Sequence, residues 1–442
     1  MGYLAILIGF ALVTILVVKR WTPVIVCIIA ASVCVLLNGL PYGETMNNVY
    51  FAGLSNMVKA IFPCLFAGSL IAQVYSRTGA VNSLGDAMAN LLFKEGSSQT
   101  RNYISCVLAC VLTAGVLAYS GMNSLVTIIA LYPIAMRLFE RAGVPKKFVM
   151  GPLNCVYTFG VALPGSVQIA NVLGMQQLET PSYAGLVGGI IGMIAEIIVI
   201  LLIMTWMIKK DVAKGGAFAY GPTDVVADDE KERPKAIITL IPLAALIIAF
   251  NVFGIEIFTA SMIAFILATI LFWKYLPARE ESKIAELKDV CSAAFIQGVT
   301  PAIMVGSMVG FTSVLQALPE YQRMIDAVFA TNVSPVILLI LAVSFIAFIT
   351  GSSSSAMRIG MPIAISHCQA AGFSNAFIHR VSAFTATILD TMPWASSQLI
   401  NLSISGLDVK DCYPSCFVTT VIAPAVGTLV CVIVMRILPF VI

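Results

Sequence analysis

Charged side chains are scarce in this sequence. Of its 442 residues, 11% are Asp, Glu, Lys or Arg, whereas 59% are hydrophobic. Soluble globular domains carry about 25% charged residues, and a soluble fold of this length could not bury so much apolar surface. Long apolar runs recur along the chain. The sequence therefore excludes an ordinary soluble protein and predicts an all-α polytopic membrane protein.

Histidine and metal-binding cysteine patterns are equally sparse. The chain has two histidines, and most of its 11 cysteines lie inside apolar segments without a CxxC pair. This argues against a metal centre or a disulfide framework, and we expect no metal and no cofactor. No basic stretch is interleaved with aromatic residues, so nucleic acid is not an expected partner. No nucleophile has a base partner evident from the sequence, so we do not expect an enzyme.

Ten apolar segments are long enough to cross a bilayer, so we expect the chain to be embedded in a lipid membrane. They lie at about 2–18, 21–40, 53–75, 146–178, 183–208, 234–252, 255–276, 288–316, 375–407 and 412–439. The first lacks a basic leading region and a small-residue cleavage site. We therefore interpret it as a span and not as a signal peptide.

Two other stretches do not fit a single crossing. Residues 103–139 are interrupted by AYSGMNS (118–124), and residues 333–370 are interrupted by TGSSSS (350–355). Each predicts a re-entrant hairpin of two half-helices with a polar tip near the middle of the membrane. Exposed backbone at that depth is tolerated only where protein buries it or where it lines a cavity.

Two shorter segments, at 78–93 and 318–330, have their apolar residues at helical spacings of three and four. Such spacing is typical of amphipathic helices that lie along the membrane interface. A polar linker at 209–235 separates the two halves of the chain.

The two halves match each other at a nearly constant separation. Pro133 and Pro362 lie 229 residues apart, and Pro164 and Pro393 keep that distance. The hairpins and the interfacial helices match as well, so we predict two repeats, residues 1–208 and 236–442. Each repeat would hold scaffold spans (1–75 or 236–316), an interfacial arm, a hairpin, a broken span and a final span.

Each predicted repeat has five crossings, so the second must be inverted relative to the first. Alternating the loops between two sides places 20 of the 25 Lys and Arg residues on one side. The positive-inside rule makes that side cytoplasmic. We expect an inner-membrane protein with both termini facing outward.

Four polar breaks mark the expected substrate site. They are the two hairpin tips and the interruptions ALPGSVQIAN (162–171) and DTMPWASSQLIN (390–401). Half-helices that begin at such breaks point unpaired amides into the membrane, which suits an anion. The residues expected to bind substrate are Ser120, Gly121, Asn123, Ser124, Pro164, Gly165, Ser166, Gln168, Asn171, Gly351, Ser352, Ser353, Ser354, Ser355, Arg358, Thr391, Pro393, Trp394, Ser396, Ser397, Gln398 and Asn401.

Ionisable residues at membrane depth are costly and usually functional. Arg358 and Asp390 have no charged counterpart in the first repeat. In one interpretation Arg358 binds a substrate carboxylate while Asp390 carries the coupling proton. In the other the two residues form a structural ion pair, and the two interpretations do not exclude each other. Glu196, inside the fifth span, is a second candidate for ion coupling or a partner for Lys59.

The two histidines, His367 and His379, lie toward the ends of their segments. We interpret both as interfacial.

Three motifs carry a resemblance to a known family. They are GSSSSA (351–356), AAGFS (370–374) and LDTMPWASSQL (389–399). The chain resembles the gluconate:proton symporter (GntP) family, in particular its hydroxybutyrate-permease-like branch, within the ion transporter superfamily. Trp394 stands where related members often have histidine, which indicates a more apolar or stacking contact.

The resemblance implies an elevator mechanism, in which the hairpins and the spans after them move against a scaffold that forms a homodimer. The expected function is import of a small organic anion by proton symport, such as a hydroxy-monocarboxylate or a sugar acid like 3-hydroxybutyrate or gluconate. Sodium coupling and exchange of organic anions are alternatives. A channel would not need two matched hairpins. Arg358 is the one strong cation expected near the site, which favours a monocarboxylate.

Overall fold

The computed structural model describes residues 2–19, 21–94, 96–122, 124–221, 224, 232–278, 282–321, 323, 333–393 and 395–438. Every regular element in these ranges is a helix. Most of the predicted second interfacial arm, 318–330, lies outside the described residues.

The described part of the first half of the chain contains nine longer helices. They are α1 (Gly2–Val18), α2 (Pro23–Leu37), α3 (Tyr42–Arg77), α4 (Ala80–Leu92), α5 (Gln99–Tyr119), α6 (Ser124–Ala142), α7 (Cys155–Ala162), α8 (Ile169–Leu178) and α9 (Leu186–Val212). Short turns at Lys146–Phe148 and Met150–Leu153 lead into α7.

The described part of the second half contains eight longer helices. They are α10 (Ala236–Asn251), α11 (Ile257–Phe272), α12 (Lys283–Gln316), α13 (Pro335–Thr350), α14 (Ser353–Ser355, Ala356–Gly360 and Pro362–Ala370), α15 (Asn375–Ala386), α16 (Ser396–Ser405) and α17 (Val409–Ile437). A short turn, Trp273–Tyr275, follows α11.

Within the described ranges, six helices are long and apolar enough to cross a membrane. They are α3, α5, α9, α12, α17 and the stretch Ile257–Tyr275. Shorter apolar helices occupy Gly2–Val13, Val24–Leu37, Ala236–Asn251 and Pro335–Phe348. These lengths support a multi-pass membrane protein.

The pairing of α3 with α12 organises one group of helices, which also includes α1, α2, α10 and α11. Glycines on α12 allow the two backbones to approach closely. A Cβ at Gly310 would lie 2.6 Å from the Tyr50 carbonyl oxygen, and one at Gly306 would lie 2.9 Å from that of Leu54. The GxxxG spacing of these two residues is typical of tight helix pairs in membranes.

The second group contains the hairpin helices and the broken spans. Helix α5 packs against α7, α13 against α15, and α9 against α17. Helix α4 lies between the groups, since it contacts α5 and α6 on one side and α10 on the other. Val81 and Leu84 of α4 are buried, as its spacing predicts, but Leu91 is exposed.

The linker is attached to the helices at several points. Asp224 accepts hydrogen bonds from Lys146 Nζ at 2.8 Å and from the Tyr132 hydroxyl at 2.9 Å. Arg233 pairs with Asp86 of α4 at 3.1 Å. The described part of the linker is therefore held against α4, α6 and the start of the broken span.

Candidate functional site

Each hairpin turns at a glycine with left-handed backbone. Gly121, between α5 and α6, has φ +78°, and Gly351, between α13 and α14, has φ +60°. A side chain disfavours this conformation, so glycine suits both turns. Ser352 then caps the second half-helix, because its Oγ accepts the Ser355 amide at 3.3 Å.

Proline and glycine interrupt the first broken span. Helix α7 ends at Ala162, and Pro164 and Gly165 follow it, the latter with φ +80°. Helix α8 resumes at Ile169. The second broken span has a similar arrangement, since α15 ends at Ala386 and α16 begins at Ser396.

The two tips and the two breaks meet at one cavity of about 190 Å³. The cavity residues that the sequence predicted are Gly121, Ser124, Gln168, Gly351, Ser352, Ser353, Ser354, Asp390, Thr391 and Ser397. Each of the four breaks contributes to this set. Cys64, Leu65 and Pro301 of α3 and α12 form another wall, so the cavity lies between the two helix groups.

Four half-helices begin at this cavity. Ser124 opens α6, Ile169 opens α8, Ser353 opens α14, and Ser397 is the second residue of α16. Each helix start carries unpaired amides and the positive end of the helix dipole. The four starts together make the cavity favourable for negative charge.

Several buried polar atoms at the cavity have no hydrogen-bond partner among the described residues. They are the hydroxyls of Tyr157, Thr391 and Ser397 and Oδ1 of Asp390. Buried polar atoms are nearly always satisfied in native structures, so such a cluster indicates a place for a polar ligand. Asp390 is only 4% exposed and is the one charged residue among the described residues that line the cavity. Ser353 and Thr391 lie beside its carboxyl group.

Gln168 connects the first break to the first hairpin. Its side-chain amide donates to the carbonyl oxygens of Ala118 at 2.8 Å and Met122 at 3.2 Å. These bonds satisfy carbonyls at and just beyond the end of α5, and they fix Gln168 at the cavity wall. Gln398, its counterpart, is buried and its Nε2 has no partner in the described structure.

Other predicted site residues support the breaks without lining the cavity. Ser120 donates to the Leu117 carbonyl, Ser166 donates to the Gly160 carbonyl, and Asn171 donates to the Ser166 carbonyl. Asn401 donates to Asn154 Oδ1 at 2.7 Å, so it ties α16 to the start of α7. Five more of the predicted substrate-binding residues do not line the cavity, namely Pro164, Gly165, Ser355, Pro393 and Gln398.

Arg358 lies outside the lining of the cavity. It is half-buried in the π-helical turn Ala356–Gly360, just before Pro362. Proline lacks an amide and clashes with the preceding turn, which gives a physical reason for this widened turn. Among the described residues, Arg358 forms no ion pair or side-chain hydrogen bond, so the alternative Arg358–Asp390 pair is not seen in this conformation and stays a prediction.

Glu196 also lies outside the cavity. It is fully buried on α9, and both its carboxyl oxygens lack a hydrogen-bond partner among the described residues. Gly427 of α17 allows it to fit, because a Cβ there would lie 2.5 Å from Glu196 Oε1. Lys59 is exposed on α3, so the predicted Lys59–Glu196 alternative is wrong.

Three predicted site residues fall outside what the structure describes. They are Asn123, Trp394 and the side chain of Ser396.

His379 has a packing role that the sequence did not predict. It is fully buried, and its Nδ1 lies 2.8 Å from the Thr180 hydroxyl. Gly174 leaves room for the ring, since a Cβ there would overlap His379 Cδ2. His379 therefore packs α15 against α8.

Sequence reasoning missed Arg380, which holds the first break in place. Its guanidinium is fully buried and donates to the carbonyl oxygens of Ala162 at 2.7 Å, Ala184 at 2.9 Å and Ser182 at 3.2 Å. A cation at the end of α7 also matches the negative end of that helix dipole. The available clue was an arginine inside an apolar segment of the second broken span.

Tyr157, Cys64 and Pro301 were missed as well. Cys64 and Pro301 lie in segments without a polar break, and Tyr157 precedes the break of its own span, so only the folded arrangement brings these residues to the cavity.

Comparisons with known proteins agree with a transport role. No family model matches the chain. The chain is 24% identical over 476 aligned positions to the uncharacterized transporter YxjC of Bacillus subtilis (strain 168), covering 96% of this chain and 97% of that protein. Its fold is similar to the crystal structure of the Alcanivorax borkumensis YdaH transporter, with a TM-score of 0.53, 15% identity and 88% of both chains covered.

A second solved structure is less similar. Neisseria gonorrhoeae MtrF, described as illuminating a class of antimetabolite efflux pumps, has a TM-score of 0.49 and 14% identity over 87% of this chain and 83% of its own. The similarity to YxjC, the YdaH-like fold and the apolar helices together support a multi-pass membrane protein that functions in transport.

Proposed function

We propose that this protein is a secondary-active transporter that imports a small organic anion together with a proton. The observation that carries the proposal is the meeting of four half-helix starts and one buried carboxyl group, Asp390, at a single cavity. The resemblance to the gluconate:proton symporter family, through GSSSSA and LDTMPWASSQL, supports the same substrate class.

The cavity suits a monocarboxylate better than a larger anion. Its volume of about 190 Å³ limits the ligand to a small molecule. Among the described lining residues there is no lysine or arginine, so recognition would come from helix starts and the hydroxyls of Ser124, Ser353 and Ser397. Backbone amides and hydroxyls bind one carboxylate and nearby substrate hydroxyls, which fits a hydroxy-monocarboxylate.

Asp390 is the group that would couple anion binding to proton binding. An ionised Asp390 and a substrate carboxylate 4 Å apart would repel each other by about 4 kcal/mol at an effective dielectric constant near 20. A proton on Asp390 removes this repulsion and provides a hydrogen-bond donor to the anion. The anion and the proton therefore favour each other's binding, which is the thermodynamic basis of symport.

The position of the cavity suits an elevator mechanism. One wall comes from α3 and α12, and the other comes from the hairpins and broken spans. We propose that the α3–α12 group is the scaffold of a homodimer and that the second group carries the site across the membrane. The predicted inverted repeat would give this motion its two equivalent end states.

The test is uptake into proteoliposomes. Purified protein would be assayed with gluconate, 3-hydroxybutyrate, lactate, short-chain fatty acids, dicarboxylates and amino acids, under an imposed proton or sodium gradient. We expect saturable accumulation of a monocarboxylate driven by the proton gradient. The substrate should be recovered unchanged.

Other outcomes would redirect the proposal. Accumulation driven only by a sodium gradient would indicate sodium coupling in place of proton coupling. Uptake that requires a second anion inside the proteoliposomes would identify an exchanger. Accumulation of cations but of no anion would overturn the interpretation of the helix starts.

A further inference from the structure

A second cavity lies at the end of α9 that we predict to face the cytoplasm. Its volume is about 260 Å³, and it shares no residue with the candidate transport site. Three parts of the fold form it: the turn Lys146–Phe148, the end of α9 and the start of α17. Four of its lining residues are lysines, namely Lys147, Lys210, Lys214 and Lys410.

The cavity carries an excess of positive charge. Two aspartates, Asp211 and Asp411, line it with the four lysines. Lys147 is already paired with Asp211 at 2.5 Å. Among the described residues, the other three lysines form no ion pair, so they face a single further carboxylate, that of Asp411.

An exposed apolar stripe on α9 leads directly to this cavity. Ile190, Ile194, Ile198, Leu202 and Trp206 are spaced by four residues and are 41%, 48%, 51%, 66% and 59% exposed. Side chains spaced by four form a continuous ridge that winds around the helix by about 40° per step, and about 16 residues of helix span about 24 Å. The stripe is therefore nearly as long as the hydrocarbon core of a bilayer is thick, about 30 Å.

Trp206 marks the point where the stripe meets the charged residues. The Lys210 ammonium lies 4.8 Å from the centre of the Trp206 ring. Tryptophan is enriched at the boundary between hydrocarbon and headgroups, and lysine reaches from there toward the phosphates. Lys210 and Lys214 continue the spacing of four beyond Trp206.

We propose that this cavity binds the phosphate headgroup of an anionic phospholipid whose acyl chain lies along the α9 stripe. A free phosphate would share the headgroup chemistry but would make no use of the stripe, so the geometry favours the lipid. Basic pockets between transmembrane helices on the cytoplasmic side are suited to such headgroups. The proposal does not depend on which substrate the protein transports.

The test measures binding of defined phosphates to the full-length protein in a neutral detergent. Thermal unfolding would be followed while phosphatidylglycerol, phosphatidylcholine, glycerol 3-phosphate or inorganic phosphate is titrated. We expect phosphatidylglycerol to raise the melting temperature at the lowest concentration. Since each lysine near a membrane surface contributes about a fivefold change in affinity, K210Q/K214Q/K410Q should weaken phosphatidylglycerol binding about 100-fold.

A matched control separates the cavity from general charge. K94Q/K209Q/K288Q removes the same charge from exposed lysines that do not line the cavity, and it should bind phosphatidylglycerol like the wild type. Lys214→Gln alone changes only an exposed turn. Its affinity for phosphatidylglycerol should fall about fivefold, and this tests the proposal even if the triple variant folds poorly.

Two results would overturn the proposal. Equal loss of binding in both triple variants would show that lipid binds by charge alone. Protection by glycerol 3-phosphate or inorganic phosphate at the same concentrations as phosphatidylglycerol would show a soluble phosphate site in place of a lipid site.

Discussion

Replacing Arg380 with methionine is expected to destabilise the protein by loosening the first helix break. Its guanidinium is the hydrogen-bond partner of the Ala162 and Ala184 carbonyls, whereas the Ser182 carbonyl also accepts from the Gly165 amide at 2.8 Å. Two buried carbonyls would therefore lose their donor in the variant. Each such loss costs about 1–3 kcal/mol, or about 2–6 kcal/mol for both.

The buried cation offsets part of this loss. Methionine removes the desolvation penalty of the guanidinium, so we expect the lower end of the range, about 2–3 kcal/mol. Arg380→Lys keeps a buried charge but has one compact donor group in place of a planar fork. It should therefore destabilise the protein at least as much as Arg380→Met.

The assay is unfolding of the purified protein in mixed micelles, titrated with SDS, which gives the free energy of unfolding. Arg101→Met is the matched control, because Arg101 is exposed. A wild-type free energy of unfolding for Arg380→Met would refute the reasoning. A lysine variant clearly more stable than the methionine variant would refute the assigned role of the three carbonyl bonds.

Two further predictions concern helix packing and the linker. Gly310→Ala should lower the free energy of unfolding by about 1–3 kcal/mol in the same assay, since its Cβ would overlap the Tyr50 carbonyl. Gly43→Ala, which meets no atom within 4 Å, should not, and equal effects would contradict the close approach of α3 and α12. Burial alone would raise the pKa of Asp224, but hydrogen bonds from Lys146 and neighbouring groups outweigh it and lower that pKa. The described part of the linker should thus be more protected from hydrogen exchange in the wild type than in Asp224→Asn at neutral pH. This difference should disappear as pH falls below the ordinary aspartate range of about 4, and a difference that persists in acid would contradict the assignment.

The helix breaks could be located from the sequence because their causes are local. Proline removes an amide, and glycine permits left-handed backbone, so SGMNS, TGSSSS, ALPGSVQIAN and DTMPWASSQLIN could be recognised without a structure. Helices α5, α7 and α13 end at these breaks, and α15 ends shortly before the last of them. The apolar runs similarly predicted the long helices.

Contacts between distant segments could not be predicted in this way. Arg358 follows the serines of the second tip closely in sequence, yet its side chain does not line the cavity, because the turn of the helix decides which face a residue occupies. Arg380 and His379 stand in an apolar segment whose burial depends on packing against α8 and the loop before α9. The inverted symmetry, the moving domain and the homodimer stay predictions.

The central claim is that Asp390 couples anion binding to a proton inside the cavity. The direct measurement compares proton-driven accumulation of a monocarboxylate by the wild type, Asp390→Asn and Glu196→Gln in proteoliposomes, with anion exchange at equal pH as a control for folding. Glu196 is also a buried carboxyl group but lies outside the cavity, so its variant is the matched comparison. We predict that Asp390→Asn loses proton-driven accumulation but keeps exchange, whereas Glu196→Gln keeps both. Full proton-driven accumulation by Asp390→Asn would contradict the claim.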